Sequence, residues 1–246
     1  MYARPWNVAA HDALWALIRG SLRARDIAAP DRLDHDVDYM AVWSRPDLVL
    51  GHICNLPYRA RFRDKVTVIG ASDYGLADCP AGYYRSHFVV RKDAHGDNVR
   101  DYALQRFATN DPLSQSGYGA AQQWAADRGF SFVDPVVTGS HAASIVAVAH
   151  GKADIAAIDA QTWRHACEGD DPTGDLRIID HTDPSPGMTF ITRKDQNPAP
   201  YLSAIRDAIA GLNPAHAIVL GLRGIIALPS AAYDIPLPPK VALSVT

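Results

Sequence analysis

The chain of 246 residues is long enough for one large domain or two lobes. Hydrophobic residues make up 48% and charged ones 21%, a balance that excludes the disordered and fibrous classes. A formal net charge of -3 argues against nucleic acid as a partner, since phosphate backbones are bound by clustered Lys and Arg.

The N-terminus, "MYARPWNVAAHDALW", lacks the basic segment, apolar core and small-residue cleavage site of a secretory signal. Next, "HDALWALIRGSLRARD" (11–26) carries Leu14, Trp15, Leu17, Ile18 and Leu22 at helical spacing and reads as an amphipathic helix. The runs "DLVLG" (47–51) and "VTVIG" (66–70), each ended by glycine, read as buried parallel strands, with a turn and short helix in "NLPYRARFRDK" between them. Three strand and helix units follow: "RFATN" before 115–129, "FVDPVVTG" before "HAASIVAVAHG", and "ADIAAID" before "AQTWRHACEG". This alternation predicts an α/β fold with a parallel sheet covered by helices. Two apolar segments lie outside it, "YYRSHFVVRK" (83–92) and "MTFITRK" (188–194). They read as crossings between a discontinuous lobe 1 (1–83 and 193–246) and a lobe 2 (84–192). A helix in "PYLSAIRDAIAGL", an apolar piece and a proline-rich tail complete the chain. No run of about 18 apolar residues occurs, so no membrane insertion is expected.

The middle third twice places small hydroxyl residues between a strand-like run and a helix. The first case is Ser114-Gln115-Ser116-Gly117 and the second is Thr138-Gly139-Ser140-His141, ahead of Ser144. Such a turn presents unpaired N–H groups and the positive end of the helix dipole, which suits an anion. Capping alone explains one turn. Two in successive units are more telling, because neighbouring parallel strands bring both helix starts to one sheet edge.

The stretches "NDPLSQSGYGA", "TGSHAASIVAVAHGKADIAAID" and "PAGYYRSHFVVRKD" resemble the phosphate, phosphite and phosphonate substrate-binding proteins of ABC transporters. "WSRPDLVLGHICNLPY" and "DPSPGMTFITRKD" extend the likeness over most of residues 40–195. It implies the type 2 periplasmic binding protein fold, in which two α/β lobes close around an oxyanion held by hydroxyls and N–H groups at helix starts. By position it assigns Ser114, Gln115 and Ser116 to the anion turn and His141 to the second turn, with Thr138, Gly139 and Ser140 beside it. Tyr58 matches an aromatic at the mouth of the first lobe, Asp159 follows a strand ending beside the ligand, and Asn110 and Tyr84 are neighbours of the cleft. Asn55 stands in "CNLPY" where relatives tend to have glycine.

The resemblance implies a non-catalytic solute-binding protein with a small anionic ligand, an ABC transporter permease as partner, and no cofactor or metal. It implies a periplasmic location for a chain whose signal was removed, and a cytoplasmic one otherwise. The rival readings are an enzyme on the same scaffold, with His141 and Asp159 as the pair to test, and a cytoplasmic ligand sensor. A Ser116, His141, Asp159 triad has no G-x-S-x-G elbow behind it. Asp34, Asp36 and Asp38 begin like a calcium loop, but Tyr39 and Arg45 occupy the places of its glycine and glutamate. Cys54 and Cys79 read either as a disulfide of an oxidising compartment or as two small buried side chains, and Cys167 reads as unpaired.

Overall fold

The computed structural model of the protein describes residues 2–169 and 171–239. In chain order come helix α1 (Val8–Arg23), α2 (Tyr39–Trp43), strand β1 (Gly51–Ile53), and a short α3 (Asn55–Pro57) that continues as a wide turn over Tyr58–Phe62. Strands β2 (Val66–Asp73), β3 (Tyr83–Tyr84), β4 (Ser86–Arg91) and β5 (Phe107–Thr109) follow. A wide turn at Gln115–Gly119 opens α4 (Ala120–Ala126), and then come β6 (Val136–Val137), α5 (His141–Ala149), β7 (Ile155–Asp159), α6 (Ala160–Glu168), β8 (Leu176–His181) and β9 (Ser185–Pro186). The last elements are β10 (Thr189–Arg193), α7 (Pro198–Ala210), α8 (Pro214–Leu220) and β11 (Gly224–Ile226).

The chain divides into two compact units, one of residues up to Tyr83 with Pro186–Asp234, the other of Tyr84–Ser185 with the tail from Ile235. The second crossing therefore falls at Ser185/Pro186, not at 192/193 as the sequence suggests. The reason is that "MTFITRK" is a strand of the first unit: β10 pairs with β1 through Gly51↔Ile191 and with β2 through Ile191↔Val68.

That insertion also changes the first unit's sheet. Its order is β1-β10-β2-β11 and every neighbouring pair is antiparallel, so the two runs read as parallel strands are separated by a returning one. The strand expected at 47–51 begins only at Gly51. Helix α1 buries Leu14, Trp15, Ile18 and Leu22, which share a core with Tyr201 and Ile205 of α7 and Ile225 of β11. Burying each such side chain contributes about 1.5–3 kcal/mol. Leu17, placed on the apolar stripe by its spacing, is 38% exposed. Asp38 caps α2, its Oδ1 accepting from the N–H of Met40 at 2.9 Å, which is a helix start and not a calcium loop. All three cysteines are free thiols, so the Cys54–Cys79 bridge is not formed; Cys54 is buried in the first unit's core and Cys79 is partly exposed.

The second unit carries a five-stranded sheet of order β6-β5-β7-β4-β8. Strands β6, β5 and β7 run parallel, as the alternation of strands and helices predicts, while β4 and β8 pair antiparallel and make the sheet mixed. The segment 83–92 thus supplies the crossing at β3 and a central strand, β4. Period-2 alternation along β4 sends Phe88 and Val90 into a core with Phe107, Trp124 and Phe132. Val89, between them, goes to the other face with Ile145, Val148 and Ile158.

Gln122 ties the chain after α4 back to the helix. Gln122 is 1% exposed; its Nε2 donates to the carbonyl of Phe132 at 2.8 Å and its Oε1 accepts from the Phe132 N–H at 3.2 Å. Gln122→Ala leaves two buried backbone groups unpaired, each costing about 1–3 kcal/mol. Denaturant unfolding followed by tryptophan fluorescence is expected to show a loss of at least about 2 kcal/mol; an unchanged midpoint would show that the contact contributes nothing.

Candidate functional site

Strand β5 ends at Thr109, and the chain turns at Asp111, whose Oδ1 accepts from the Leu113 N–H at 2.6 Å. Ser114 is then the cap residue of the helical run that ends in α4. Its Oγ accepts from the Gly117 N–H at 3.0 Å, and its carbonyl accepts from the Gly119 N–H at 2.9 Å, five residues on. A first turn this wide is common at functional sites. The N–H groups of Gln115 and Ser116 belong to the opening turn and have no acceptor within the helix.

The second helix start is tied directly to the first. The N–H of Thr138 donates to the Thr109 carbonyl at 2.8 Å, and the N–H of Gly139 donates to the Asn110 carbonyl at 3.1 Å. Gly139 has φ +87°, a left-handed conformation that glycine adopts without strain. Ser140 caps α5, its Oγ accepting from the Ala143 N–H at 3.1 Å. The N–H groups of His141 and Ala142 belong to the opening turn of α5. Across the gap, Ser116 Oγ and His141 Nε2 are 2.8 Å apart. Gly117 makes this approach possible, since a Cβ there would lie 1.8 Å from Asn110 Oδ1 and 3.2 Å from His141 Cε1.

The hydrogen-bond roles sort the predicted residues. A serine hydroxyl that accepts a backbone N–H keeps its own proton, so Ser114 and Ser140 cap their helices and still donate. With a hydrogen on His141 Nε2, the imidazole donates to Ser116 Oγ; otherwise Ser116 donates to the ring. Thr138 is different: its Oγ1 lies 3.0 Å from the Thr109 carbonyl, 3.2 Å from the Ser140 carbonyl and 2.6 Å from Ser144 Oγ. Its single proton is used inside the unit.

Asp159 ends β7 and caps α6, its Oδ1 accepting from Gln161 at 2.8 Å and Thr162 at 2.9 Å. Gln115 is buried, with its Nε2 3.4 Å from Ser185 Oγ. Tyr84 is buried at the start of the second unit. Tyr58 lies in the first unit, edge-on to Tyr233 at 5.4 Å, and burial raises its phenol pKa. One contributor has no local signal in the sequence: Ser86 Oγ donates to the Ser116 carbonyl at 2.8 Å from 30 residues away, and its N–H donates to Thr182 Oγ1 at 2.9 Å. Gly117, already part of the first turn in the sequence, matters through what lies opposite it. The bonds that join the two turns come from the backbone N–H groups of Thr138 and Gly139 and from the Ser116 and His141 side chains.

A family model for the periplasmic substrate-binding proteins of phosphonate ABC transporters matches residues 50–229. The chain belongs to this family. Among solved structures of the same two-lobed fold, PhnD1 of Prochlorococcus marinus in complex with methylphosphonate is 19% identical, with a TM-score of 0.68 over 93% of this chain and 91% of that one. A binding protein component of an ABC phosphonate transporter from Pseudomonas aeruginosa is 17% identical, with a TM-score of 0.67 over 94% of this chain and 80% of that one. An ATP-bound protein of Xanthomonas citri is 16% identical, with a TM-score of 0.65 over 91% of this chain and 90% of that one. A search of curated protein sequences returns no match.

As a phosphonate-type substrate-binding protein the chain is a solute binder and not an enzyme, with a small ligand and a transporter as its partners. The Ser116 and His141 pair is accordingly read as a donor set and not as a nucleophile with its base. No helix among the described residues is long and apolar enough to cross a membrane.

Proposed function

We propose that the second unit captures a phosphonate or a closely related phosphorus oxyanion through Ser114, Ser116, Ser140, His141 and the N–H groups of the two helix starts. The observation that supports this most is the 2.8 Å contact between Ser116 Oγ and His141 Nε2, which sets two helix amino ends around one point. Two positive dipole ends and neutral donors suit a compact anion. The solved neighbours carry methylphosphonate in one case and ATP in another, both phosphorus oxyanions. The ligand is then handed to an ABC permease, and the chain works in the periplasm.

Hydrogen bonds to a charged group contribute roughly 1.5–3 kcal/mol each. Ser116→Ala and His141→Ala are each expected to weaken methylphosphonate binding by about 10- to 100-fold while the unliganded melting temperature stays within a few degrees. Thermal shift against methylphosphonate, phosphite, phosphate, sulfate and acetate reads this, because a saturating ligand stabilises only the form that binds it. Equal shifts in both variants and the native chain would remove these residues from the site; no shift with any phosphorus oxyanion would remove the function.

A further inference from the structure

Strands β4 and β8 bring two histidines face to face. His87 and His181 are directly opposed in the ladder, so their side chains leave the sheet on one face. Their ring centroids are 4.8 Å apart, the rings are inclined at 69°, and the two Nδ1 atoms are 2.7 Å apart. Trp163 of α6 stands edge-on to His87 at 6.4 Å. Both histidines are partly exposed, and β8 is the outer strand of its sheet, so the pair is open to water. As a structural contact the pair yields a single hydrogen bond, which is lost once both facing nitrogens carry a hydrogen. Two neutral imidazoles with adjacent Nδ1 atoms on a fixed backbone are, by contrast, a ligand set for a transition-metal ion.

We propose that His87 and His181 form a binding site for a copper(II) ion, held by the two Nδ1 atoms and completed by water. The spacing selects the metal. Two nitrogens about 2.0 Å from an ion and at a right angle, as in the square plane of copper(II), stand about 2.8 Å apart, whereas the tetrahedral angle of zinc(II) requires about 3.3 Å. The observed 2.7 Å matches the first and not the second. The ion sits beside the line joining the two nitrogens, and each ring meets it by turning about its Cβ–Cγ bond, a torsion that is broad in histidine. Among the described residues no group of three or more His, Cys, Asp or Glu gathers there, so water fills the other positions; copper(II) leads the divalent series in affinity for such sites. In the metal-free pair one ring carries its hydrogen on Nδ1. In the bound form that ring carries it on Nε2, so both rings stay neutral and release no proton. The positive charge of Arg85 acts on His87 and opposes a cation, which keeps the affinity moderate. None of the proposed oxyanion donors takes part, so this site stands apart from the phosphonate reading.

The test uses the untagged full chain, stripped with a chelator, and copper(II) chloride near neutral pH. Calorimetric titration is expected to show one equivalent bound, with nitrogen hyperfine structure in the electron paramagnetic resonance spectrum. Saturating copper should raise the melting temperature by about 5 °C or more, because the ion staples β4 to β8 in the folded form alone. Zinc(II) chloride should bind at least about 10-fold more weakly than copper(II). His87→Gln and His181→Gln should each lower the copper affinity at least about 10-fold, the loss of one of two nitrogen ligands. In the native chain the amide signals of His87, Phe88, His181 and Thr182 should broaden first as copper is added below one equivalent, a reading that needs no variant to fold. A native chain that takes up no copper, broadening centred on other residues, or an affinity unchanged in both variants overturns the proposal.

Discussion

Gly117→Ala is expected to lower the affinity for methylphosphonate by at least about 100-fold and to leave the fold in place. The added methyl carbon would stand 1.8 Å from Asn110 Oδ1, 3.0 Å from Asn110 Cγ and 3.2 Å from His141 Cε1. Gly117 has no positive φ, so alanine is not excluded by its backbone conformation. The clash is with the ends of two side chains that can swing away, which keeps the cost in stability to about 1–3 kcal/mol. Swinging them away is what disturbs the proposed site: Ser116 Oγ loses His141 Nε2, the side-chain contact that joins the two helix starts. Donor sets tolerate displacements of only about 0.5 Å. Calorimetry with a parallel thermal melt separates the two effects. An affinity within a few-fold of native would show that the gap beside Gly117 is not where the anion sits.

Stability is expected to fall below pH 6.5, and two partly buried histidines in different units carry the effect. Burial in the first unit pushes the His52 pKa down to about 3; its Nε2 is 2.7 Å from Ser72 Oγ, and its ring stacks on Phe190 at 4.5 Å. In the second unit burial, and then the neighbouring His181, push His87 down to about 4. The His87 and His181 Nδ1 atoms are 2.7 Å apart, so one ring donates its Nδ1 hydrogen to the other, and a hydrogen on both facing nitrogens would break the contact. Both folded pKa values lie below the unfolded value near 6.5, so the unfolded chain binds more protons and stability is lost as pH falls. The loss begins near pH 6.5 and continues to about pH 4 for His87 and about pH 3 for His52. At about 1.4 kcal/mol per pH unit for each group, the cost by pH 4 is on the order of 3 kcal/mol per unit of the protein. Melting at pH 7.5, 5.5 and 4.5 tests this. His87→Gln should remove the acid loss from the second unit and keep it in the first, and a native melting temperature that is flat down to pH 4.5 would contradict both assignments.

Local chemistry made much of the second unit legible in the sequence. The two hydroxyl-rich turns announce helix starts because capping needs only the next three residues; Ser114 caps the first, and Ser140, not Thr138, caps the second. Strands β5 and β7 and the helices after them follow from short-range periodicity. What the sequence hides is long-range pairing. β10 inserts between β1 and β2 through hydrogen bonds to residues more than 100 positions away, so an antiparallel sheet was read as parallel and the second crossing was set too late. Leu17 was read as core because helical spacing marks a stripe without fixing its width. In the site, Ser86 carries no mark of its own and acquires its role from the Ser116 carbonyl that the fold brings to it, while Gly117 is visible in the first turn but not the close approach of Asn110 and His141 that requires it.

The most direct test is amide NMR of the nitrogen-labelled full chain during titration with methylphosphonate. Saturable shifts should be largest at the N–H groups of Gln115, Ser116, His141 and Ala142, with the Gly117 signal following them. Silence at these amides while the largest changes fall elsewhere in either unit would contradict the placement of the anion at the two joined helix starts.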